Sequence, residues 1–541
     1  KMKFEVSIEK EKVDKTLKDL EEDVVFQNIK RQAEKIKSEK LGFARGQTGL
    51  KRHLGWFDIM AITVCAVVGM GIFIKTFSVQ TTVLGIGDAV PLAFLVGAIP
   101  ALFTTLCYAS LSSALPREGG DYIFISRGLH PFFGFWITWT KWIGSTISMG
   151  VIAFISADLV INMLYVFGVS QSVLNFLKSP IGKILLTLLI LSGCYWINLK
   201  GGKYFKVIIR FFFFIILFGS IAIILLLTFH YNYESFITAA TQKYGEENFL
   251  AAKNIGDKIA LLHQKNNFIY SLKMLLSAAS VLFFAYLGFD TAVTMSSETK
   301  DPRKNIPKGI IYAILLIIVL YFIISFGFYS FIPWKYVAGY LTLHPEAQPS
   351  DFINLSPYPY EIIIVSFVIA IALISDIPPW MMAVSRIFFA WSFDGIMPKK
   401  FSKLNQYGIP IHALNLTYLL AVVVVIECQI TGISLMLELD TIAMLFTYTL
   451  VNMTMLLLPL KKPLYYNIAE FKLGKFNNLV SGIGIFTTFL LLGMIISTSF
   501  NSFIVFCILM TLGSLIFIYN YKKKIEKGID METTFKILPP E

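Results

Sequence analysis

Val67-Val68-Gly69-Met70-Gly71-Ile72-Phe73 places two glycines inside a long apolar run, and the reading of this stretch decides the fold. The run opens at Trp56, so Gly69 lies about 13 residues in, or roughly 20 Å at 1.5 Å per residue, against a hydrocarbon core of about 30 Å. Helix broken at that depth leaves N–H and C=O groups that hydrocarbon cannot satisfy, so protein or a polar ligand must do so. Two readings fit: a mid-membrane binding site, or glycines that let another helix pack closely.

Composition sets the class. The chain has 541 residues, 56% of them hydrophobic and 15% charged, with mean hydropathy +0.67. A soluble protein of this size does not look like that. Spanning-length apolar runs recur along most of the chain, which predicts an all-α polytopic membrane protein. The charged start leaves no cleavable signal peptide visible. The net charge of +12 gathers in alternate loops, including Arg117 and Arg127, Lys200 to Lys206, Lys300 to Lys308, Lys399 to Lys403 and Lys522 to Lys524. That alternation is the positive-inside pattern rather than a nucleic-acid surface. It puts those loops and both termini in the cytoplasm of a multi-pass cytoplasmic-membrane protein, and so demands an even number of spans, read as about twelve. The five cysteines give neither a disulfide framework nor a metal spacing, and no metal, cofactor or catalytic constellation is read.

The expected organisation is a cytoplasmic tail over 1–50, a ten-helix core over 51–460, two further spans over 461–521 and a basic cytoplasmic tail of no evident structure over 522–541. Val13, Leu17, Leu20 and Val24 predict a short amphipathic helix in the first tail, with a solvated tail equally open. Residues 230 to 270 form the longest outside loop, read as partly helical.

A second break lies at Phe283-Phe284-Ala285-Tyr286-Leu287-Gly288-Phe289-Asp290, about 15 Å from the cytoplasmic end of span 6. Spans 1 and 6 approach from opposite sides. This predicts a five-plus-five inverted repeat with spans 1 and 6 as equivalent broken helices. Half-helix ends offer N–H groups to an anion and C=O groups to a cation, a fit for a zwitterion.

Four motifs in register then resemble the amino acid–polyamine–organocation superfamily, and within it prokaryotic amino acid permeases. They are Val68 to Phe73, Leu115-Pro116-Arg117-Glu118-Gly119-Gly120-Asp121-Tyr122, Phe284 to Asp290 with Glu298 and Asp301-Pro302, and Ser385-Arg386 with Phe393-Asp394-Gly395. The resemblance implies a secondary transporter that holds an amino acid between Val68, Gly69, Met70, Gly71 and Ile72 of span 1 and Phe284, Ala285, Tyr286, Leu287 and Gly288 of span 6. It further implies that the amides of Gly69, Met70 and Gly71 hold the carboxylate, that the carbonyls of Phe284, Ala285 and Leu287 hold the amine, and that Phe284 is an aromatic gate.

Span 5 lacks the lysine that proton-coupled relatives carry. Asp376 stands instead near mid-depth in span 8, followed by Ile377-Pro378-Pro379. A charged Asp there costs about 2.5 to 3.5 kcal/mol on insertion scales, which makes a functional role the default. Asp376, with the carbonyls of Cys65 and Val68, is the candidate site for a coupling H+ or Na+; an Asp hydrogen-bonded into helix packing is the alternative. Lys75 is expected to snorkel outward or to attract an anion. Lys141 is expected to pair with a carboxylate or to snorkel inward. Asp290 and Glu298 are expected to fasten the gate or loops. Asp158, Glu427, Glu438 and Asp440 are expected as solvated carboxylates near outer span ends.

The functional expectation is an amino acid permease working by alternating access, coupled to H+ or Na+ or running as an exchanger, and not an enzyme. A neutral or apolar amino acid is favoured unless Asp376 faces the pocket, in which case a cationic amino acid or polyamine fits. An amino acid sensor that binds without turnover is the reading from another class.

Overall fold

Among the described residues of the computed structural model, twelve helices are long and apolar enough to cross a membrane. They are Trp56–Thr82 (span 1), Gly87–Ala114 (span 2), Pro131–Val166 (span 3), Pro180–Lys200 (span 4), Gly202–Leu226 (span 5), Phe268–Glu298 (span 6), Pro302–Phe331 (span 7), Tyr360–Phe393 (span 8), Ile411–Thr431 (span 9), Glu438–Lys461 (span 10), Gly474–Thr498 (span 11) and Phe500–Glu526 (span 12). The structure describes residues 48–229, 233–263, 268–344, 352, 355, 359–431 and 437–540. The amphipathic helix expected in the first tail lies outside the described residues. No strand occurs among them, and a single parallel bridge joins Leu54 to Thr299.

That bridge brings the start of span 1 to the end of span 6. The amides of His53 and Leu54 both donate to the Glu298 carbonyl, at 2.8 and 3.1 Å. The two spans therefore run in opposite directions from one shared face, as the inverted repeat requires. The basic loops collect on this face. There Asn405 of the span 8–9 loop donates to the Leu199 carbonyl at the end of span 4. On the opposite face, the expected partly helical loop forms Tyr233–Tyr244 and Glu246–His263. Gly256 packs directly on the backbone of Lys335, in the helix Trp334–Leu343 that follows span 7.

Burial separates centre from periphery. Neighbouring spans cover 83% of the most apolar window of span 1 and only 28% of that of span 12. Spans 4, 5, 9 and 12 leave Leu189, Phe211, Val423 and Leu515 exposed, a belt suited to lipid. Span 3 packs along span 8, and span 7 lies against spans 1 and 2.

The basic C-terminal tail is ordered, contrary to the expectation of no evident structure. Span 12 continues as helix to Glu526, and Met531–Lys536 forms a short helix capped by Asp530. The tail returns to the span 2–3 loop: Arg117 Nε donates to the Pro539 carbonyl at 2.7 Å, and the Arg127 guanidinium lies 4.9 Å from the Phe535 ring centroid. Charge composition marked the segment as solvated; two buried apolar anchors, Met531 and Phe535, hold it down. Deleting residues 529–541 removes both anchors. We expect a lower unfolding temperature for the detergent-solubilised protein, read by intrinsic fluorescence, with Phe535→Ala reproducing most of the loss; an unchanged temperature would show that the tail contributes nothing to the fold.

Candidate functional site

Span 1 is two helices, Trp56–Val67 and Met70–Thr82, broken at Val68 and Gly69. Span 6 is helical to Leu282, tightens to a 3₁₀ turn over Phe283–Tyr286, and resumes as 3₁₀ over Thr291–Glu298. The breaks touch, because a Cβ at Gly71 would overlap Ala285 Cα. Gly288 takes φ +102°, a conformation that favours glycine, and it sits against the Ala66 carbonyl and the Trp380 indole.

Side chains from spans 7 and 8 satisfy much of the interrupted backbone. Tyr321 Oη lies 2.6 Å from the Val67 carbonyl and 2.8 Å from that of Ala285, so one hydroxyl proton serves both breaks. Trp380 Nε1 donates to the Ala66 carbonyl at 2.7 Å. Asp376 sits at the start of the resumed helix, its carboxylate packed against Gly69, where a Cβ would overlap it. Its Oδ1 is buried and has no hydrogen-bond partner among the described residues.

A narrow space of about 20 Å³, room for about one water molecule, lies between the breaks. Met70, Gly71, Phe284, Leu287 and Asp376 of the expected site line it. Val68, Ile72 and Tyr286 do not: all three are fully buried in packing, and Tyr286 Oη is committed to the Phe94 carbonyl at 2.9 Å. Gly69, Ala285 and Gly288 instead fill contacts within or between the breaks. Cys65 is buried beside Asp376 and Ser375, and its Sγ donates to the Ile209 carbonyl. The Val68 amide is bonded to the Val64 carbonyl, within its own helix.

The sequence reading missed Ala66, Ser148, Ile152, Trp380 and Asp440 at this space. Asp440 is a correction. It is 1% exposed, with Oδ1 accepting from Ser145 at 3.0 Å and Oδ2 from Ser148 at 2.8 Å. Its place near the end of span 10 suggested solvent; the approach of span 3 at Gly144, whose Cβ position abuts Asp440, closes water off. Lys75 lies beside the site, its Nζ 5.4 Å from the Phe284 ring centroid.

Toward the basic face the site is closed by buried ions. Lys141 pairs with both Asp121 and Asp290, and Tyr448 Oη donates to Asp290 at 2.7 Å. Arg386 pairs with Glu298 at 2.5 Å and Glu118 at 3.1 Å. Arg127 pairs with Asp394. These contacts tie the span 2–3 loop to spans 3, 6 and 8. Burial, and then the neighbouring Glu298 carboxylate, push the Glu118 carboxyl up to about 8 from 4.5, against the opposing pull of Arg386.

Residues 54–520 match a family profile described as amino acid permease. The chain is 24% identical to the cationic amino acid transporter 3, mitochondrial, of Arabidopsis thaliana over 425 residues, 75% of this chain and 62% of that protein. It is 24% identical to the branched-chain amino acid permease BcaP of Bacillus subtilis, over 77% of this chain and 83% of the relative. It is 26% identical to the methylthioribose transporter of the same organism, over 79% and 85% respectively.

Two expectations follow. Gly71→Ala forces the breaks apart and should destabilise the protein by about 1–3 kcal/mol, measured as a lower unfolding temperature; full stability would contradict the direct contact with Ala285. Folded protein holds a proton on Glu118 that unfolded chain has released between about pH 4.5 and 8, so this group makes stability fall as pH rises through that window. Thermal unfolding scanned across it should show Glu118→Gln losing part of the wild-type slope, and parallel curves would place the titration elsewhere.

Proposed function

Because the chain belongs to the amino acid permease family, we propose that it is a secondary transporter that moves a small organic cation, an amino acid or an amine, by alternating access around the breaks of spans 1 and 6. The observation that carries this reading is the pair of buried carboxylates, Asp376 and Asp440, at one space between the breaks. A buried carboxylate is costly without a cation or hydrogen bonds, and Asp376 keeps one oxygen unpartnered. A bound ammonium supplies both charge and donors. The preference for a neutral solute rested on Asp376 being the only acid near the pocket, and Asp440 removes that basis.

In this reading the substrate-facing residues are Met70, Gly71, Phe284, Leu287, Asp376 and Asp440. Val68, Ile72, Ala285, Tyr286 and Gly288 hold the break geometry. Phe284 closes the mouth under Lys75. Asp376, with Cys65 beside it, is also the group assigned to coupling, loading H+ or Na+ in the phase of the cycle when the cation is absent. The basic loops and both termini face the cytoplasm of a cell membrane.

The test is uptake of radiolabelled cationic amino acids, amines and leucine into proteoliposomes, under imposed H+ or Na+ gradients and with preloaded solute to reveal exchange. Cations should accumulate and leucine should not. Asp376→Asn and Asp440→Asn should each lower cation uptake by about tenfold or more. Leucine accumulation that ignores both substitutions would overturn the reading, as would ligand-induced thermal stabilisation without any flux, the behaviour of a sensor.

A further inference from the structure

We propose that the preferred solute carries its positive charge without a carboxylate, so that it is an alkylamine or diamine rather than an amino acid. This deepens the cationic-substrate reading above and rests on it.

The argument starts from the resumed half of span 1. An amino acid's carboxylate would have to be held by the first free amides of that helix, at Met70 and Gly71. The chain puts a carboxylate of its own there. The Asp376 carboxylate lies against Gly69, the residue that precedes Met70, and it is 4% exposed. An incoming carboxylate would need the same place and would meet a like charge away from water, where repulsion is screened least. The site cannot hold both ionised groups comfortably.

The rest of the lining agrees. Asp440, on span 10, adds a second acid whose Ser145 and Ser148 donors hold it in place. Leu287, Ile152 and Phe284 are apolar surface at the same space. Two acids with apolar wall match an alkyl chain ending in one or two ammonium groups. Lys75, its Nζ 5.4 Å from the Phe284 ring centroid, is the opposing charge beside the site, and the two acids that line the space outnumber it.

Matched pairs test the idea with the purified full-length protein: cadaverine against lysine, putrescine against ornithine, and agmatine against arginine differ only in the carboxylate. Binding is measured by competition against radiolabelled cadaverine and, separately, by thermal stabilisation with each compound alone. Each amine should bind at least about tenfold more tightly than its amino acid. Asp376→Asn should shrink that ratio in every pair, whereas Asp440→Asn should weaken both members and leave the ratio standing. The wild-type ratios suffice should a variant fail to fold. Amino acids that bind as well as their amines would overturn this inference and leave the cationic reading intact. Stabilisation by leucine with none by any of the six cations would overturn both.

Discussion

A broken helix inside a membrane leaves backbone dipoles that only protein or ligand can satisfy, and the breaks at Val68–Gly69 and Phe283–Gly288 impose that constraint on everything near them. Three side chains from two other spans meet it. Tyr321 bridges the Val67 and Ala285 carbonyls, Trp380 reaches the Ala66 carbonyl, and the Asp376 carboxylate packs against Gly69. Each is aromatic or acidic, able to place one polar atom at the break while the rest of the side chain fills space or approaches a glycine. These groups take up the Val67, Ala285 and Ala66 carbonyls, and Asp376 keeps one buried carboxylate oxygen without a partner among the described residues.

The second constraint is electrostatic. Three buried ion clusters join the elements that bear the basic loops, and two of them hold one more acid than base: Lys141 with Asp121 and Asp290, and Arg386 with Glu118 and Glu298. Desolvation cancels much of the attraction within such clusters, so they are poor sources of net stability. Their geometry matters more. Each links parts that have to separate if the site is to open toward this face, and an excess acid released from its shared cation can take up a proton. In the alternating-access cycle proposed above, the clusters would act as latches whose strength depends on charge, where an apolar contact would be indifferent to it.

Much of this was legible in the sequence because the bilayer makes composition speak. Glycine pairs at mid-depth, an aspartate followed by two prolines, and basic residues in alternate loops each conflict with hydrocarbon or follow its topology, so they stand out from single positions. The misses share one cause: they depend on which span lies beside which. Asp440 is near a helix end in sequence and is buried only because Gly144 lets span 3 approach. Trp380 looks like one more aromatic until its indole meets the Ala66 carbonyl. Tyr286 and Ile72 belong to the right motifs yet turn away from the space, since a motif fixes the backbone path without fixing which alternate side chains face inward. The ordered tail was missed because eight or so residues with two apolar anchors are too short to give a periodic signal.

The same groups that satisfy the breaks also limit how the molecule can move. In the proposed cycle, rotating span 8 away from span 1 would separate Trp380 from the Ala66 carbonyl and Asp376 from Gly69 together, leaving a carbonyl and a carboxylate exposed in one step. That cost is smallest when something else can take their place. An ammonium donates several hydrogen bonds and carries the charge opposite to Asp376, so it can occupy the carboxylate and the freed carbonyl at once; a proton neutralises the carboxylate but does nothing for the carbonyl. Under that proposal, empty and loaded forms would differ in how costly the rearrangement is, and that difference would tie movement of the spans to occupancy of the site.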